Sequence, residues 1–265
     1  MSKVDTKDLL ELRRLTGAGM LDAKKALEAA GGDVEGARLW LRERGLAVSA
    51  SRGSPGASQG AVKVAVGDGV SCVAEVVCDT DFVAKTPELL ALLDEVIERT
   101  LTGGEEEARA GCKELADDLA ERLKERIAIG RLVRVVHPEG AVVGSYLHMQ
   151  NGRGVNAVLV LLDKGTEELA HDVAVHVAFA RPAYMARGEV PESEVAAERA
   201  TLEALSRNEG KPEAALAKIV DGRLRGWFKE RCLLEQNYVR DEKRTISQLL
   251  GDANVLRFIQ VIVGG

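Results

Sequence analysis

The sequence has 265 residues, 46% of them hydrophobic and 29% charged, which fits two or three units of ordinary domain size in a soluble globular protein. Its formal net charge of −6 argues against non-specific nucleic-acid binding, which needs clustered Lys and Arg, but leaves room for a protein that works beside RNA through another protein. Aromatic residues make up only 3% of the chain, so an aromatic residue on a polar segment is unusually informative.

The cysteines and the amino terminus predict a compartment. The four cysteines form no CxxC pair and no Cys/His cluster with zinc-finger spacing. Cys72 and Cys78 fall on one face of a predicted strand, where packed, reduced thiols are favoured over a redox pair. The amino terminus lacks the apolar segment of a signal peptide, and no apolar run reaches the roughly 18 residues of a membrane span. We therefore expect a cytoplasmic protein with no membrane partner, no metal and no cofactor.

Residues 1–45 are predicted to form a bundle of three short helices. Asp5 or Thr6 can cap the first helix, and Asp33 can cap the third. A unit this small is marginal alone and usually serves as a docking module. The next segment, residues 46–59, is rich in Ser, Gly and Ala and predicts a flexible linker.

From Gly60 onward the apolar pattern changes to the period of two that is typical of strands. Residues 60–139 contain a predicted hairpin, a helix opened by Thr86 and Pro87, and a second helix with Leu115, Leu119, Leu123 and Ile127 four residues apart. Strands followed by a helix recur in residues 140–188, and a last helix and strand follow in residues 232–265. The recurrence predicts an α+β core of two related subdomains with antiparallel sheets.

Residues 189–231 interrupt the second subdomain with two predicted helices. The break between them is Gly210-Lys211-Pro212, which is typical of an antiparallel helical hairpin. Their narrow Leu/Ala stripe can bury a seam between two helices and little more. We expect an arm that projects from the core.

No catalytic set emerges from the motifs. The histidines are scattered, and the chain has no phosphate-binding loop of the GxxxxGK[ST] type. Two polar segments stand out instead, DTDFVAK with Asp81 and Phe82, and SYLHMQNGRG with His148. The residues alone leave open whether Asp81 only caps a helical turn, whether Phe82 folds onto its own core, and whether His148 is an ordinary hairpin residue.

Several segments resemble one known family in the same order along the chain. LRRLTGAGMLDAKKAL at 12–27 and DTDFVAK at 79–85 resemble two signatures of bacterial elongation factor Ts. Further matches are GSYLH at 144–148, AVHVAFARP at 174–182, GKP at 210–212, DGR at 221–223, and QNYV followed by TISQLL within 236–250. One departure is QNYV, which stands where the family usually has QPFV.

The resemblance implies a guanine nucleotide exchange factor in translation elongation, without covalent catalysis. The implied partner is elongation factor Tu, in its GDP-bound and nucleotide-free forms. Binding would displace Mg²⁺ and promote release of GDP so that GTP can bind. No direct nucleic-acid contact and no cofactor are implied, and a homodimer is left open. The implied fold has an N-terminal module like a ubiquitin-associated (UBA) domain, a two-part α+β core and a projecting coiled-coil arm.

The family's functional residues carry over onto matching positions here. The segment that displaces the magnesium ion of the partner corresponds to Thr80, Asp81, Phe82 and Val83. The other contacts with the partner correspond to Arg13, Met20, Leu21, His148, Asn237, Tyr238 and Val239.

Two other classes of function are considered. A binding adaptor of ubiquitin-like fold, built on the N-terminal bundle alone, would leave TDFVAK and GSYLH unexplained. A small-molecule enzyme would use Cys78 or His148, and turnover without a partner protein would support it.

Overall fold

The computed structural model describes residues 5–16, 20–43 and 59–264, which divide into two units. One unit combines the described residues before position 44 with residues 186–229, and the other combines residues 59–185 with 230–264. Helices and antiparallel sheets confirm the predicted α+β class. Residues 46–58 of the predicted linker lie outside the described residues, and the finer domain boundaries, the UBA-like module and the coiled-coil arm stay predictions.

The helices and strands of the described residues are numbered in chain order. The helices are α1 Thr6–Thr16, α2 Met20–Ala29, α3 Val34–Glu43, α4 Pro87–Gly103, α5 Glu105–Gly111, α6 Lys113–Leu123, α7 Glu167–Ala180, α8 Glu192–Asn208, α9 Glu213–Arg231 and α10 Ile246–Leu250. The strands are β1 Gln59–Val66, β2 Val70–Cys78, β3 Ile127–Val136, β4 Val142–Gln150, β5 Arg153–Leu162, β6 Asn237–Tyr238, β7 Asp241–Thr245 and β8 Val255–Ile262.

Helices α1 to α3 enclose a small apolar core with Leu12, Leu27 and Leu41 at its centre. Asp5 accepts a hydrogen bond from the backbone N–H of Lys7 at the start of α1, as an N-cap does. Helices α8 and α9 belong to the same unit, where α8 lies beside α3. An ion pair of 2.8 Å between Arg199 and Asp221 joins α8 to α9.

The core unit has two three-stranded antiparallel sheets of the same topology, with the orders β1-β2-β3 and β4-β5-β8. In each sheet a hairpin is extended by a third strand that pairs with the second strand of the hairpin. The Asn151–Gly152 turn joins β4 to β5, and both residues have positive φ, as a tight type I′ hairpin requires. Helix α4 begins as predicted, because Thr86 Oγ1 accepts from the N–H of Leu89 and Pro87 occupies the first turn.

The two sheets pack face to face around an apolar layer that Val62, Val73 and Leu159 help to form. Helix α4 covers the outer face of the first sheet, and α7 covers the outer face of the second. The resulting order of layers is helix, sheet, sheet, helix. It brings the end of the β4–β5 hairpin against β1.

One predicted helix is shorter than its apolar spacing suggests. Ile127 was placed on a helix with Leu123, but it is the first residue of β3. Lys124 adopts a left-handed conformation with φ of 56°, which ends α6 and turns the chain into the strand. β1 begins at Gln59, which the sequence analysis assigns to the linker.

Candidate functional site

The segment between β2 and α4, residues 79–85, presents one large apolar side chain to solvent. Phe82 is 79% exposed, whereas the next two residues, Val83 and Ala84, are buried in the core under the first sheet. Val83 and Ala84 therefore anchor the 79–85 loop in the core, while the ring of Phe82 faces solvent. The sequence left open whether this ring folds onto its own core, and the structure shows that it does not.

The loop is fixed by hydrogen bonds to the turn that precedes β3. Glu125 accepts from both Thr80 Oγ1 at 2.6 Å and the Thr80 N–H at 3.0 Å. Asp79 accepts from the N–H of Arg126 at 3.1 Å. Because charged acceptors make strong hydrogen bonds, these contacts hold the start of the loop in one conformation before any partner binds.

Asp81 is paired with a cation of its own loop. Its carboxylate accepts from Lys85 Nζ at 2.6 Å, one helical turn further on. The hydrogen bond from Lys85 holds the pKa of Asp81 below its ordinary value, and the positive charge of Arg153 acts in the same direction. Lys85 Nζ also lies 5.6 Å from the centroid of the Phe82 ring, within the range of a cation–π contact. One lysine thus contacts both Asp81 and Phe82.

Cys78, the last residue of β2 and directly before the loop, has the properties of a packed thiol. It is buried, and its Sγ donates to the carbonyl oxygen of Thr80 at 3.2 Å. Burial, with a smaller effect of the Glu125 charge, raises the pKa of Cys78 to about 11. Burial likewise raises the pKa of Cys72 to about 11. None of the four cysteines forms a disulfide, and all four are buried. At Cys72 and Cys78 the thiolate that a nucleophile needs is therefore disfavoured at neutral pH.

The second predicted segment lies on strand β4. His148 is exposed, and its ring stacks on that of Tyr146 with centroids 6.4 Å apart. His171 of α7 also makes an edge contact with Tyr146, with ring centroids 6.2 Å apart, and donates from Nδ1 to the carbonyl oxygen of Ser145 at 2.7 Å. His148 is therefore accessible on a surface of aromatic and imidazole rings.

The third predicted segment, residues 236–239, is largely turned inward. Tyr238 is only 5% exposed and packs on His176 with ring centroids 6.2 Å apart. The buried imidazole of His176 bonds to Gln236 Oε1 at 2.9 Å and accepts from the N–H of Val239 at 3.3 Å. Burial lowers the pKa of His176. Asn237 is the exposed residue of the segment, and Val239 is half-buried.

The predicted contacts near the amino terminus belong to the other unit. Met20, at the start of α2, is 47% exposed, and Arg13 on α1 is half-buried. Leu21 lies in the first turn of α2, and its side chain is outside the described part of the structure.

Four residues near these segments were missed by the sequence analysis. Lys85 carried a readable signal, since it stands four residues after Asp81 on a predicted helical turn. Glu125 and Arg153 carried none, because their contacts join segments that are distant in sequence. Phe179, on α7, is 78% exposed, nearly as much as Phe82.

Within the described ranges, no group of three or more His, Cys, Asp or Glu residues could hold a metal ion. None of the helices there is long and apolar enough to cross a membrane. An anchored loop with one exposed ring is a feature that partner-binding proteins present, because buried aromatic anchors carry much of the energy of protein interfaces.

Comparison with known proteins gives the family. A model of the family Elongation factor TS matches residues 79–265. The protein named Elongation factor Ts from Clavibacter michiganensis subsp. michiganensis is 40% identical over 266 residues, covering 96% of each chain. The one from Acidothermus cellulolyticus is 40% identical over 277 residues, covering 100% of this chain and 99% of its own. The one from Micrococcus luteus is 38% identical over the full length of both chains. The chain belongs to the elongation factor Ts family.

Proposed function

We propose that this chain is a guanine nucleotide exchange factor of translation elongation that acts on elongation factor Tu in the cytoplasm. Membership of the elongation factor Ts family supports the proposal. The observation that carries it is the exposure of Phe82 on a loop whose flanking residues are fixed. A ring left uncovered by its own chain offers apolar area to a pocket on a partner.

The free energy for exchange comes from burying that ring. A GTPase holds GDP through phosphate contacts and through Mg²⁺, which neutralises the charge of the diphosphate. Burial of a Phe side chain contributes roughly 1.5–3 kcal/mol, which is about a ten- to hundredfold change in an equilibrium constant. This contribution offsets distortion of the GTPase around its metal ion, so the factor binds the nucleotide-free form better than the GDP form.

Thr80, Asp81, Phe82 and Val83 then displace the magnesium ion of the partner. Thr80 and Val83 hold the loop, Phe82 enters the pocket, and Asp81 approaches the metal site with its negative charge. Because coupling between two ligands is reciprocal, GDP and the factor weaken each other's binding by the same factor. Incoming GTP drives release of the factor, and no covalent step is needed, so the protein is not an enzyme in that sense.

The remaining contacts extend the interface beyond the loop. On the core, His148 and Asn237 are the exposed candidates, Val239 is half-buried, and Tyr238 is buried. Arg13, Met20 and Leu21 supply contacts from a UBA-like N-terminal module. A tethered second contact of this kind raises the effective concentration of the first. The α8–α9 pair serves as the coiled-coil arm.

The enzyme alternative finds no support in the site. Cys78 is buried, and its pKa of about 11 keeps it protonated at neutral pH. His148 contacts Tyr146 at 3.4 Å, between His148 Nδ1 and Tyr146 Oη. That contact joins His148 to a phenol, and not to a carboxylate, a serine or a cysteine.

The test is release of a fluorescent GDP analogue from purified elongation factor Tu, followed by stopped flow. We expect release to become faster in proportion to the factor added and to saturate when a complex forms. A release rate that stays at its intrinsic value at saturating concentrations would sink the proposed function.

A further inference from the structure

Arg153 is a buried cation whose hydrogen bonding is incomplete. It is the first residue of β5, directly after the hairpin turn, and is only 8% exposed. Its Nη2 donates to Gln59 Oε1 at 2.9 Å, but within the described residues its buried Nε and Nη1 donate to nothing. Unpaired donors on a buried charge oppose folding. Packing alone therefore does not account for an arginine at this position.

The strand register places Arg153 beside the start of the 79–85 loop. Gln59, which receives its hydrogen bond, pairs in the β1–β2 ladder with Cys78, the last residue before the loop. The next residue, Gly154, fixes the hairpin on β1. A Cβ added to Gly154 would lie 2.2 Å from the carbonyl oxygen of Val62, so the two strands already touch. Lys85 and Arg153 are 68 residues apart in the sequence. The 79–85 loop and the β4–β5 hairpin thus meet around the guanidinium group of Arg153.

The charge of Arg153 reaches the loop without a direct hydrogen bond. Lys85 has the largest effect on the pKa of Asp81, and the positive charge of Arg153 lowers that pKa further. The same charge opposes the rise that burial causes in the pKa of Cys78. The charge of Arg153 thus acts on both Cys78 and Asp81. This agrees with the strand register, which places Arg153 beside the start of the 79–85 loop.

We propose that Arg153 is a positioning residue for the 79–85 loop, holding the loop on the β4–β5 hairpin so that Asp81 and Phe82 face the GTPase together with His148. This inference rests on the proposed exchange function and deepens it. Arg153 itself stays inside the protein and acts through Asp81 and the start of the loop. The two segments identified separately in the sequence then act as one surface.

Replacing Arg153 by Met removes the charge and the fork of donors but keeps most of the volume. We expect Arg153→Met to slow factor-catalysed GDP release by about two- to fivefold, no more than removal of the Asp81 charge itself, because Arg153 acts on that charge through space and not through a hydrogen bond. The midpoint of thermal unfolding should stay the same or rise, because an unpaired buried charge has been removed. Arg153→Lys keeps the charge and should restore part of the exchange rate.

The matched control is Arg134→Met. Arg134 is a partly buried arginine of β3 that donates from Nε and Nη2 to the carbonyl oxygen of Leu101. Its loss should lower the unfolding midpoint and leave the exchange rate unchanged. The control thus separates a structural arginine from one that positions the loop.

A double-mutant cycle tests whether Arg153 acts through Asp81. In an Asp81→Asn background, Arg153→Met should slow exchange by a smaller factor than it does in the wild-type protein. An Arg153→Met protein that exchanges at the wild-type rate would overturn the inference, and so would a loss that is equal in both backgrounds or that follows a lowered unfolding midpoint. A wild-type protein without exchange activity would instead overturn the proposed function.

Discussion

Two segments of the core unit each carry an aromatic residue within a polar motif, and they orient it in opposite ways. In the 79–85 loop Phe82 faces solvent, while Val83 and Ala84 after it are buried. In residues 236–239 Tyr238 is buried on His176, while Asn237 before it is exposed. Both segments are proposed to contact the partner.

The difference follows from local structure. Val83–Lys85 form a single 3₁₀ turn, and the turn directs the side chain of Phe82 away from the core that holds Val83. Asn237 and Tyr238 form a short strand, where neighbouring side chains alternate between the two faces. A motif can therefore identify a contact segment, but the backbone decides which of its residues is free to meet a partner.

The largest expected effect is on stability and comes from Tyr238→Ala. Removing a buried aromatic ring leaves a cavity and should lower the free energy of unfolding by about 3 kcal/mol or more. Tyr238→Phe is the matched control. Tyr238 Oη lies near Asp172 and Arg240, but within the described residues no hydrogen bond of good geometry reaches it, so Phe should cost little. Urea denaturation of the three proteins provides the measurement, and a Tyr238→Ala protein as stable as wild type would show that this ring is not a core residue.

Phe82→Ala should have the opposite profile. The fold should keep its stability, because the ring is exposed, while catalysed GDP release should slow by about ten- to a hundredfold, from the burial estimate. Stopped-flow release and a thermal melt measure the two effects. Phe179→Ala is a control of the same exposure on α7, and we expect its exchange rate to stay near that of wild type. Equal losses in the two variants would show that exposed apolar area in general, and not the 79–85 loop, governs binding.

Much of the core could be predicted from local pattern. The hairpin turns, the capped start of α4 and the antiparallel strands follow from glycine, Pro and β-branched residues at fixed offsets. Ile127 was misplaced because apolar spacing of four continues across Lys124, and the left-handed conformation of Lys124 is not encoded by a glycine.

The support of the site could not be predicted in the same way. Thr80 bonds to Glu125 across 45 residues, and Gln59 bonds to Arg153 across 94. The first pair depends on how β2 and β3 are joined in one sheet, and the second depends on how the two sheets pack. The periodicity of a single segment predicts neither pair. Lys85 is the exception, because its pair with Asp81 lies within one helical turn.

The pH dependence of stability tests the inward orientation of residues 236–239. His176 is buried as the neutral imidazole, with Nδ1 accepting from the N–H of Val239 and Nε2 donating to Gln236. Its pKa in the folded protein is below 6.5, so the unfolded chain takes up the proton first as the pH falls. The contribution of His176 is therefore complete above pH 6.5 and is lost below it, by at most about 1.4 kcal/mol per pH unit.

Urea denaturation at several values between pH 7.5 and pH 5 measures this dependence. His176→Gln should flatten the pH dependence of stability. A smaller dependence should remain because burial also lowers the pKa of His137. A wild-type slope that survives in His176→Gln would mean that another group supplies the protons.

The smallest expected effect is that of Asp81→Asn. The substitution keeps the shape of the side chain and removes its charge, which in the free protein is already compensated by Lys85 at 2.6 Å. Both side chains are partly exposed and screened by solvent. We therefore expect GDP release to slow by only about two- to fivefold, as for loss of an exposed ion pair, and clearly less than in Phe82→Ala.

Removing Mg²⁺ with a chelator tests whether the effect of Asp81→Asn on GDP release arises at the metal ion. If the factor acts by displacing the ion, chelating Mg²⁺ should by itself speed GDP release from elongation factor Tu, and the further acceleration by the factor should shrink. The difference between Asp81→Asn and wild type should then also shrink, since the charge of Asp81 no longer has an ion to disturb. Stopped-flow release from elongation factor Tu alone, with the wild-type factor and with Asp81→Asn, each with and without chelator, gives the six rates needed. An acceleration of equal size in both conditions would mean that Thr80 to Val83 act on the base or the phosphates of GDP, because the ion they were proposed to remove would be irrelevant to the rate.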